Sequence, residues 1–316
     1  GAITDIKRYR REHGVSLAEA REVARGASAL AKYRELTGFT ETNVNALWHH
    51  RVSLYGKNAH AGGLMRYGIP DFKLDKSIID RRLGQMQTEG VDFRPNTQIG
   101  VDVPAAKLLA DYDAVVLTGG SEKPRDLDVP GRDLNGVHFA MDFLTQQNRR
   151  NGGESFDADD ILATDTNVLV IGGGDTGSDC VGTSVRQGAT SITQIEIMPK
   201  PPVKEDKLAT WPHWPQKLRT SSSHEEGCNR DWNVLTKAFI GDADGNLKAA
   251  QCVRVEWTQG EDGQWNMSEV EGAEFELPCE HAFLAMGFVP PVPDGTLAAL
   301  GPAQDARGTA AAEPAP

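Results

Sequence analysis

Cysteine is scarce. The 316 residues hold four, at Cys180, Cys228, Cys252 and Cys279, far apart and with no C-x-x-C pair. That spacing excludes an iron–sulfur or zinc cage built from them and predicts buried, reduced thiols in a cytoplasmic protein. Long apolar runs are missing as well. No stretch reaches the roughly 20 residues of a membrane span, and the opening GAITDIKRYRREHG is too charged for a signal peptide. A basic surplus is lacking: 33 Lys and Arg against 45 Asp and Glu leave a net charge of −12. Nucleic acid and anionic membrane are therefore not expected as partners. His49 and His50 are adjacent and would not face one ligand together on a helix, so no metal site is expected there. No residue stands out as a nucleophile or general base, so no catalytic side chain is assigned.

What is present is one strong motif. Thr166–Pro199 reads strand, glycine turn, helix, strand. Asn167–Ile171 is a Val/Leu/Ile run of the kind buried on both faces. Gly172, Gly174 and Gly177 follow in the spacing G-x-G-x-x-G, with Gly173, Asp175 and Thr176 between them. The first glycine permits the tight turn, the second lets backbone approach a pyrophosphate, and the third lets the helix lie close to the strand. The helix predicted over Thr176–Gln187 presents free N–H groups, and about half a positive charge, to those phosphates. A plain structural turn is the competing reading. After the second strand, Ser191–Met198, Glu196 stands where an acid would hold a ribose 2′-OH. Lys200 and Lys204 stand where a 2′-phosphate could be met. All three read equally well as solvated loop residues.

The rest of the chain is coarser in signal. Ser16 and Glu19 form a capping box opening a helical segment over 1–48. Val52–Tyr55 suggests a short strand. Gly62 and Gly63 allow close backbone approach to a flat or phosphorylated group. Asp75 can cap a helix that Gly90 ends, and Val91–Phe93 reads as a strand. Ala114–Thr118 reads as an apolar strand entering Gly119–Gly120. Phe139–Gln147 reads as a helix. Residues 199–227 form a long Pro- and Trp-rich loop containing His213 and His224, which as lone loop histidines are expected at the surface. Strands are then predicted at Trp232–Ile240 and Ala250–Thr258 around the turn signal Asp242–Gly245, then at Gln264–Val270, Glu274–Leu277 and Phe283–Met286. The tail 302–316 is small-residue and Pro-rich, and disorder is expected there.

Six ordered segments carry a resemblance: AGGLMRYGIPDFK (61–73), VVLTGG (115–120), VPGRDLNG (129–136), VLVIGGGDTGSDC (168–180), RTSSSHEEG (219–227) and LAMGF (284–288). Together, over about residues 51–301, the chain resembles the small subunit of bacterial glutamate synthase. The resemblance implies an α/β protein of nested dinucleotide-binding, Rossmann-like folds: an FAD-type domain over 49–135 plus 281–301, and an NADPH-binding domain over 136–280 inserted into it. It implies hydride transfer from NADPH, with NADH as the alternative, to FAD, and electron transfer onward to a glutamate synthase large subunit. Gly172, Gly174 and Gly177 then fall on the NADPH pyrophosphate, and Gly62, Gly63 and Arg66 along the flavin. Gly119 and Gly120 fall at the crossing between folds, and Gly287 at the return.

The chain departs from this pattern in places that matter. TETNVNALWHHRV (40–52) has no glycine motif for the FAD pyrophosphate, and Gly56 stands where the family has an acid for the FAD ribose. The family's N-terminal cysteine clusters and C-terminal glycine–aspartate motif are absent, so no iron–sulfur cluster is expected. The NADPH-type fold is expected whole and the FAD-type fold cut at both ends. NADPH binding with weak FAD binding, and little reductase activity alone, is the expectation. The alternatives are a non-catalytic nucleotide-binding remnant and a flavin reductase with another acceptor.

Overall fold

The computed structural model describes residues 51–155, 159–210, 212, 216–290, 296–305, 308–309 and 311. The expected helical segment 1–48, His213 and much of the tail lie outside them. By internal packing the described chain divides into a small unit, residues 51–54 and Met86–Asp92, and a large one, Tyr55–Gln85 and 93–311.

In chain order the elements are β1 (Ser53–Tyr55), α1 (Gly63–Tyr67), α2 (Lys76–Thr88), β2 (Asp92–Arg94), α3 (Ala105–Asp111), β3 (Val137–Phe139), α4 (Ala140–Asn151), β4 (Asn167–Ile171), α5 (Asp175–Gln187), β5 (Ser191–Glu196), α6 (Lys207–Thr210), α7 (Ser222–Glu225), β6 (Asn229–Trp232), β7 (Val234–Gly241), β8 (Leu247–Gln259), β9 (Trp265–Pro278), β10 (His281–Leu284) and α8 (Thr296–Leu300).

The centre is a five-stranded parallel sheet in the order β3-β10-β4-β5-β6. Its inner strands β4 and β10 are largely apolar and buried, as strands covered on both faces require. One face sends Leu169, Ile171, Ile195, Ala282 and Leu284 into a core shared with Val234, Phe239, Ala250 and Cys252. The other sends Val168, Val170, Ile192 and Phe283 against Phe143, Leu144, Cys180 and Val181 of α4 and α5. The Phe143 and Phe283 rings stack at 4.0 Å between centroids, both fully buried. Each such ring contributes about 1.5–3 kcal/mol by leaving water. The second layer is the antiparallel sheet β7-β8-β9. Its β7–β8 turn is built as expected, with the Asp242 carboxylate accepting the N–H groups of Asp244 and Asn246 at 2.9 Å each.

Several expectations are corrected. Ala114–Thr118 is not a strand: Val116 is 81% exposed, and no ladder partner lies beside the segment among the described residues. An apolar run without a neighbouring strand gains neither hydrogen bonds nor burial. The places beside β4 are taken by β5 and β10. Thus His281–Leu284, assigned from sequence to the outer fold, is a strand of this central sheet. Trp232–Ile240 is not one strand either. Asn233 adopts a left-handed backbone, φ 58°, and turns the chain from β6 in the parallel sheet to β7 in the antiparallel one. Conversely, the two strands predicted at Gln264–Val270 and Glu274–Leu277 are one, β9 (Trp265–Pro278), because Gly272 (φ 72°) is absorbed in a register shift opposite Val253–Val255 rather than ending the strand.

Candidate functional site

The glycine turn lies at the C-terminal end of β4, where the chain's two neighbours to that strand diverge. β5 follows through α5 on one side, and β10 arrives from far along the chain on the other. A crevice at such a switch point is where open α/β sheets bind ligands. Each glycine has a separate reason. Gly172 has φ 123°, its N–H donates to the Ile195 carbonyl (2.9 Å), and a Cβ would overlap the Ala285 carbonyl. Gly177 is buried in the first turn of α5, and a Cβ there would run into the Gly172 carbonyl and stand 2.6 Å from Gln194 Nε2. Gly174 differs. It is the N-cap of α5, it is exposed, and a Cβ would have nothing within 4 Å. The protein itself does not require glycine there.

Gly174 faces a cleft of about 720 Å³ lined by Gly173, Gly174, Asp175 and Ser178 on one side and 217–221 with His224 on the other. Ser178 Oγ donates to the Asp175 carbonyl (3.0 Å) and accepts from Lys73 Nζ (2.7 Å). Lys73 also pairs with the buried Asp179 carboxylate at 2.6 Å. Burial raises the Asp179 pKa, and Lys73 opposes that. Thr176 is partly buried beside Asp175, which is exposed.

The turn is held from beneath by Gln194, which had no sequence expectation, and by His224, which was expected at the surface. Gln194, 1% exposed, donates through Nε2 to the Gly172 carbonyl (2.8 Å). Its Oε1 lies 2.9 Å from His224 Nε2, and His224 Nδ1 accepts the Ser221 N–H at 3.0 Å. Those partners require a neutral imidazole protonated on Nε2. Burial, with the charges of Arg230 and Lys73, lowers the His224 pKa to about 4. His224 is therefore not a surface residue, as a lone loop histidine was expected to be. The available signal was Gln194, a polar residue inside an otherwise apolar strand.

Glu196 ends β5 in register with Trp232. Its carboxylate lies directly against Gly173, where a Cβ would collide with it. It is 3.6 Å from the guanidinium of Arg230. Lys200 Nζ sits 4.8 Å over the Trp232 ring. Glu196 is thus placed at the turn rather than in a solvated loop.

The residues expected along the flavin are engaged locally. Gly62 (φ 128°) caps α1, and Gly63 has φ 50°. Arg66 Nε donates to the Ala61 carbonyl at 2.8 Å, and its Nη2 pairs with Asp80. Gly119 and Gly120 are exposed, and Gly120 has φ 65°. Gly287 (φ 83°) accepts the Arg125 N–H at 2.9 Å, and Val289 N–H donates to the Lys123 carbonyl at 2.9 Å. The outgoing and returning segments are therefore bonded to each other. Among the described residues no group of three His, Cys, Asp or Glu could hold a metal ion, and no helix is long and apolar enough to cross a membrane.

Residues 43–290 match the family model described as pyridine nucleotide-disulphide oxidoreductase. The glutamate synthase [NADPH] small chain of Mycobacterium tuberculosis is 46% identical over 83% of this chain and 53% of its own length. The glutamate synthase [NADH] of Schizosaccharomyces pombe is 42% identical over 84% of this chain and 13% of its own. The chain spans about half the length of the bacterial small chain it matches. Among solved structures, Mycobacterium tuberculosis FprA in complex with NADPH superposes with a TM-score of 0.57 at 17% identity, covering 80% of this chain and 66% of that one. That likeness is one of fold.

Proposed function

This chain belongs to the pyridine nucleotide-disulphide oxidoreductase family, and from that premise we propose that it is the nicotinamide-dinucleotide-binding part of a glutamate synthase small-chain-type oxidoreductase. One observation carries the reading. Gly174 is the glycine of the turn that packing does not demand, and it opens onto the cleft at the N-terminus of α5. A glycine kept open at that point suits a ligand that must touch backbone, and the free N–H groups of Gly174–Thr176 suit its phosphates. Gly172 and Gly177 set the turn, and Gln194 with His224 fix its back. Lys73 fixes the first turn of α5 through Ser178 and Asp179.

A bound nicotinamide dinucleotide would supply hydride for transfer to a flavin. The chain's own residues bind and orient it, and none need act as acid or base. Relatives named for NADPH and for NADH both match, so the names favour neither cofactor. The flavin, the onward passage of electrons and a glutamate synthase large subunit as partner are what the sequence resemblance implies, and they form part of the proposal. So does the division into an inserted dinucleotide fold and an outer FAD-type fold. Residues Gly62, Gly63, Arg66, Gly119, Gly120 and Gly287 are proposed for the flavin side. Arg66 is held in place by its bonds to Ala61 and Asp80.

Calorimetric titration of the full chain with NADPH and NADH tests the reading, with visible absorbance reporting any flavin carried through purification. Saturable binding of at least one dinucleotide is expected, lost in Gly174→Val. A folded chain that binds neither would refute it.

A further inference from the structure

We infer that Arg186, which does not line the cleft, is a positioning residue that clamps the cleft's far wall to α5 and so sets the affinity of the site. The inference rests on the dinucleotide reading above and names what holds that site in shape. The far wall, residues 217–221, carries the exposed Lys217, Arg219 and Thr220 and has no regular structure of its own. It runs directly into α7 (Ser222–Glu225) and then Glu226. Where α7 and Glu226 are fixed therefore decides how far the wall stands from the N-terminus of α5.

Three observations place that fixing point at Arg186. Its guanidinium meets the Glu226 carboxylate with both nitrogens, Nη1 to Oε2 at 2.5 Å and Nη2 to Oε1 at 2.9 Å. A fork of this kind sets direction as well as distance. The guanidinium is itself immobilised, because Nη1 also donates to the Gly182 carbonyl at 2.9 Å and the Phe72 ring centroid lies 3.6 Å beneath it. Packing agrees with the bonds. Gly182 is buried, and a Cβ there would stand 2.6 Å from Phe72 Cζ and 2.6 Å from the fully buried Ser223 Oγ. Three segments far apart in the chain, the one ending at Phe72, α5 and α7, thus converge on one face of α5.

A plain surface ion pair would not do this. Exposed pairs contribute little to global stability, and here 42% of the Arg186 side chain and 31% of that of Glu226 are exposed. Docking of one short wall is a different equilibrium from unfolding of the whole sheet. It feels the fork and the stack in full, because few other contacts hold that wall. Arg186 lies about 12 Å along the helix axis from Ser178, the cleft residue of α5 nearest to it in sequence. Its influence on a ligand is therefore exerted through the wall.

The test compares the full chain in wild type, Arg186→Met, Arg186→Lys, Glu226→Gln and the double variant Arg186→Met with Glu226→Gln, recording a melting temperature for each. One readout is titration calorimetry with NADPH and NADH. The other, taken without nucleotide, is the rate of tryptic cleavage after Lys217 and Arg219, the sites located by mass spectrometry. Arg186→Met is expected to weaken binding roughly fivefold, as when the wall is docked about a fifth of the time, and to speed cleavage severalfold. The melting temperature should move by no more than about 2–4 °C. Arg186→Lys keeps the charge without the fork or the stack and should recover only part of the affinity. Glu226→Gln should reproduce the effect with Phe72 undisturbed, and the double variant should be no worse than Arg186→Met, since the pair is already broken. Affinity unchanged in both Arg186→Met and Glu226→Gln, cleavage unchanged in both, or a loss of affinity that merely tracks the melting temperature overturns the inference and leaves the dinucleotide site standing. A folded wild type that binds neither dinucleotide overturns that site, and the cleavage rates then decide alone whether Arg186 holds the wall.

Discussion

Two glycines three residues apart should respond to substitution in opposite ways. At Gly174 the backbone has φ −78° and ψ −174°, ordinary for any residue, and a Cβ meets nothing within 4 Å. Gly174→Val therefore loses only the modest N-cap advantage of glycine, partly offset by the smaller entropy of its unfolded chain. The net is within about 1 kcal/mol, which moves the melting temperature by roughly 2–4 °C in a domain of this size. Its effect on binding is large, since the side chain enters the cleft where backbone N–H groups would meet phosphate. Each charge-assisted hydrogen bond lost is worth about 1.5–3 kcal/mol, so one or two weaken binding roughly tenfold to a thousandfold or more. At Gly177 the order reverses. A Cβ overlaps the Gly172 carbonyl and stands 2.6 Å from Gln194 Nε2, breaking the bond between them. Overpacking of about 1–3 kcal/mol plus about 1 kcal/mol for that bond predicts a loss of roughly 2–4 kcal/mol for Gly177→Ala. Differential scanning calorimetry paired with dinucleotide titration separates the two. If Gly177→Ala melts like wild type, or Gly174→Val stays folded and binds unchanged, this account of the turn is wrong.

Other outcomes follow from the same packing. Burial holds His224 and His138 at about 4, below the usual histidine value of 6.5. The unfolded chain then binds more protons between those values. Their contribution is full above about pH 6.5 and fades as pH falls toward about 4. The melting temperature should drop across that window, with a shallower slope in His224→Gln; an unchanged slope would mean that His224 is not buried neutral. Lys73→Met leaves Asp179 buried without its partner. A loss of about 1–3 kcal/mol is expected by chemical denaturation, with partial recovery in the double variant carrying Asp179→Leu, and the absence of recovery would assign the loss to Lys73 packing instead. The β6–β7 corner should tolerate Asn233→Gly but not Asn233→Val, because a β-branched side chain resists φ 58°; equal melting temperatures for the two variants would contradict that.

The local code was legible wherever it depended on neighbours in sequence. The run Asn167–Ile171 could only be a buried strand, the spacing of Gly172, Gly174 and Gly177 specified a turn into a helix, and Asp242–Gly245 specified a hairpin. These are short-range constraints of backbone geometry and apolar period, and the chain carries them itself. What depended on partners far along the chain was not legible. Val115–Thr118 has the composition of a strand but no strand beside it, whereas His281–Leu284 enters the central sheet between β3 and β4. Alternation in Ile192–Met198 left the direction of Glu196 open. Pairing with β6 and the approach to Gly173 decided it. Gln194 and His224 are 30 residues apart and became one hydrogen-bonded support only when the loop folded back over the sheet. Composition and period determine which segments are strands and helices in waiting. Which of them meet, and which buried polar atoms must then find each other, is settled only when long-range burial closes the sheet.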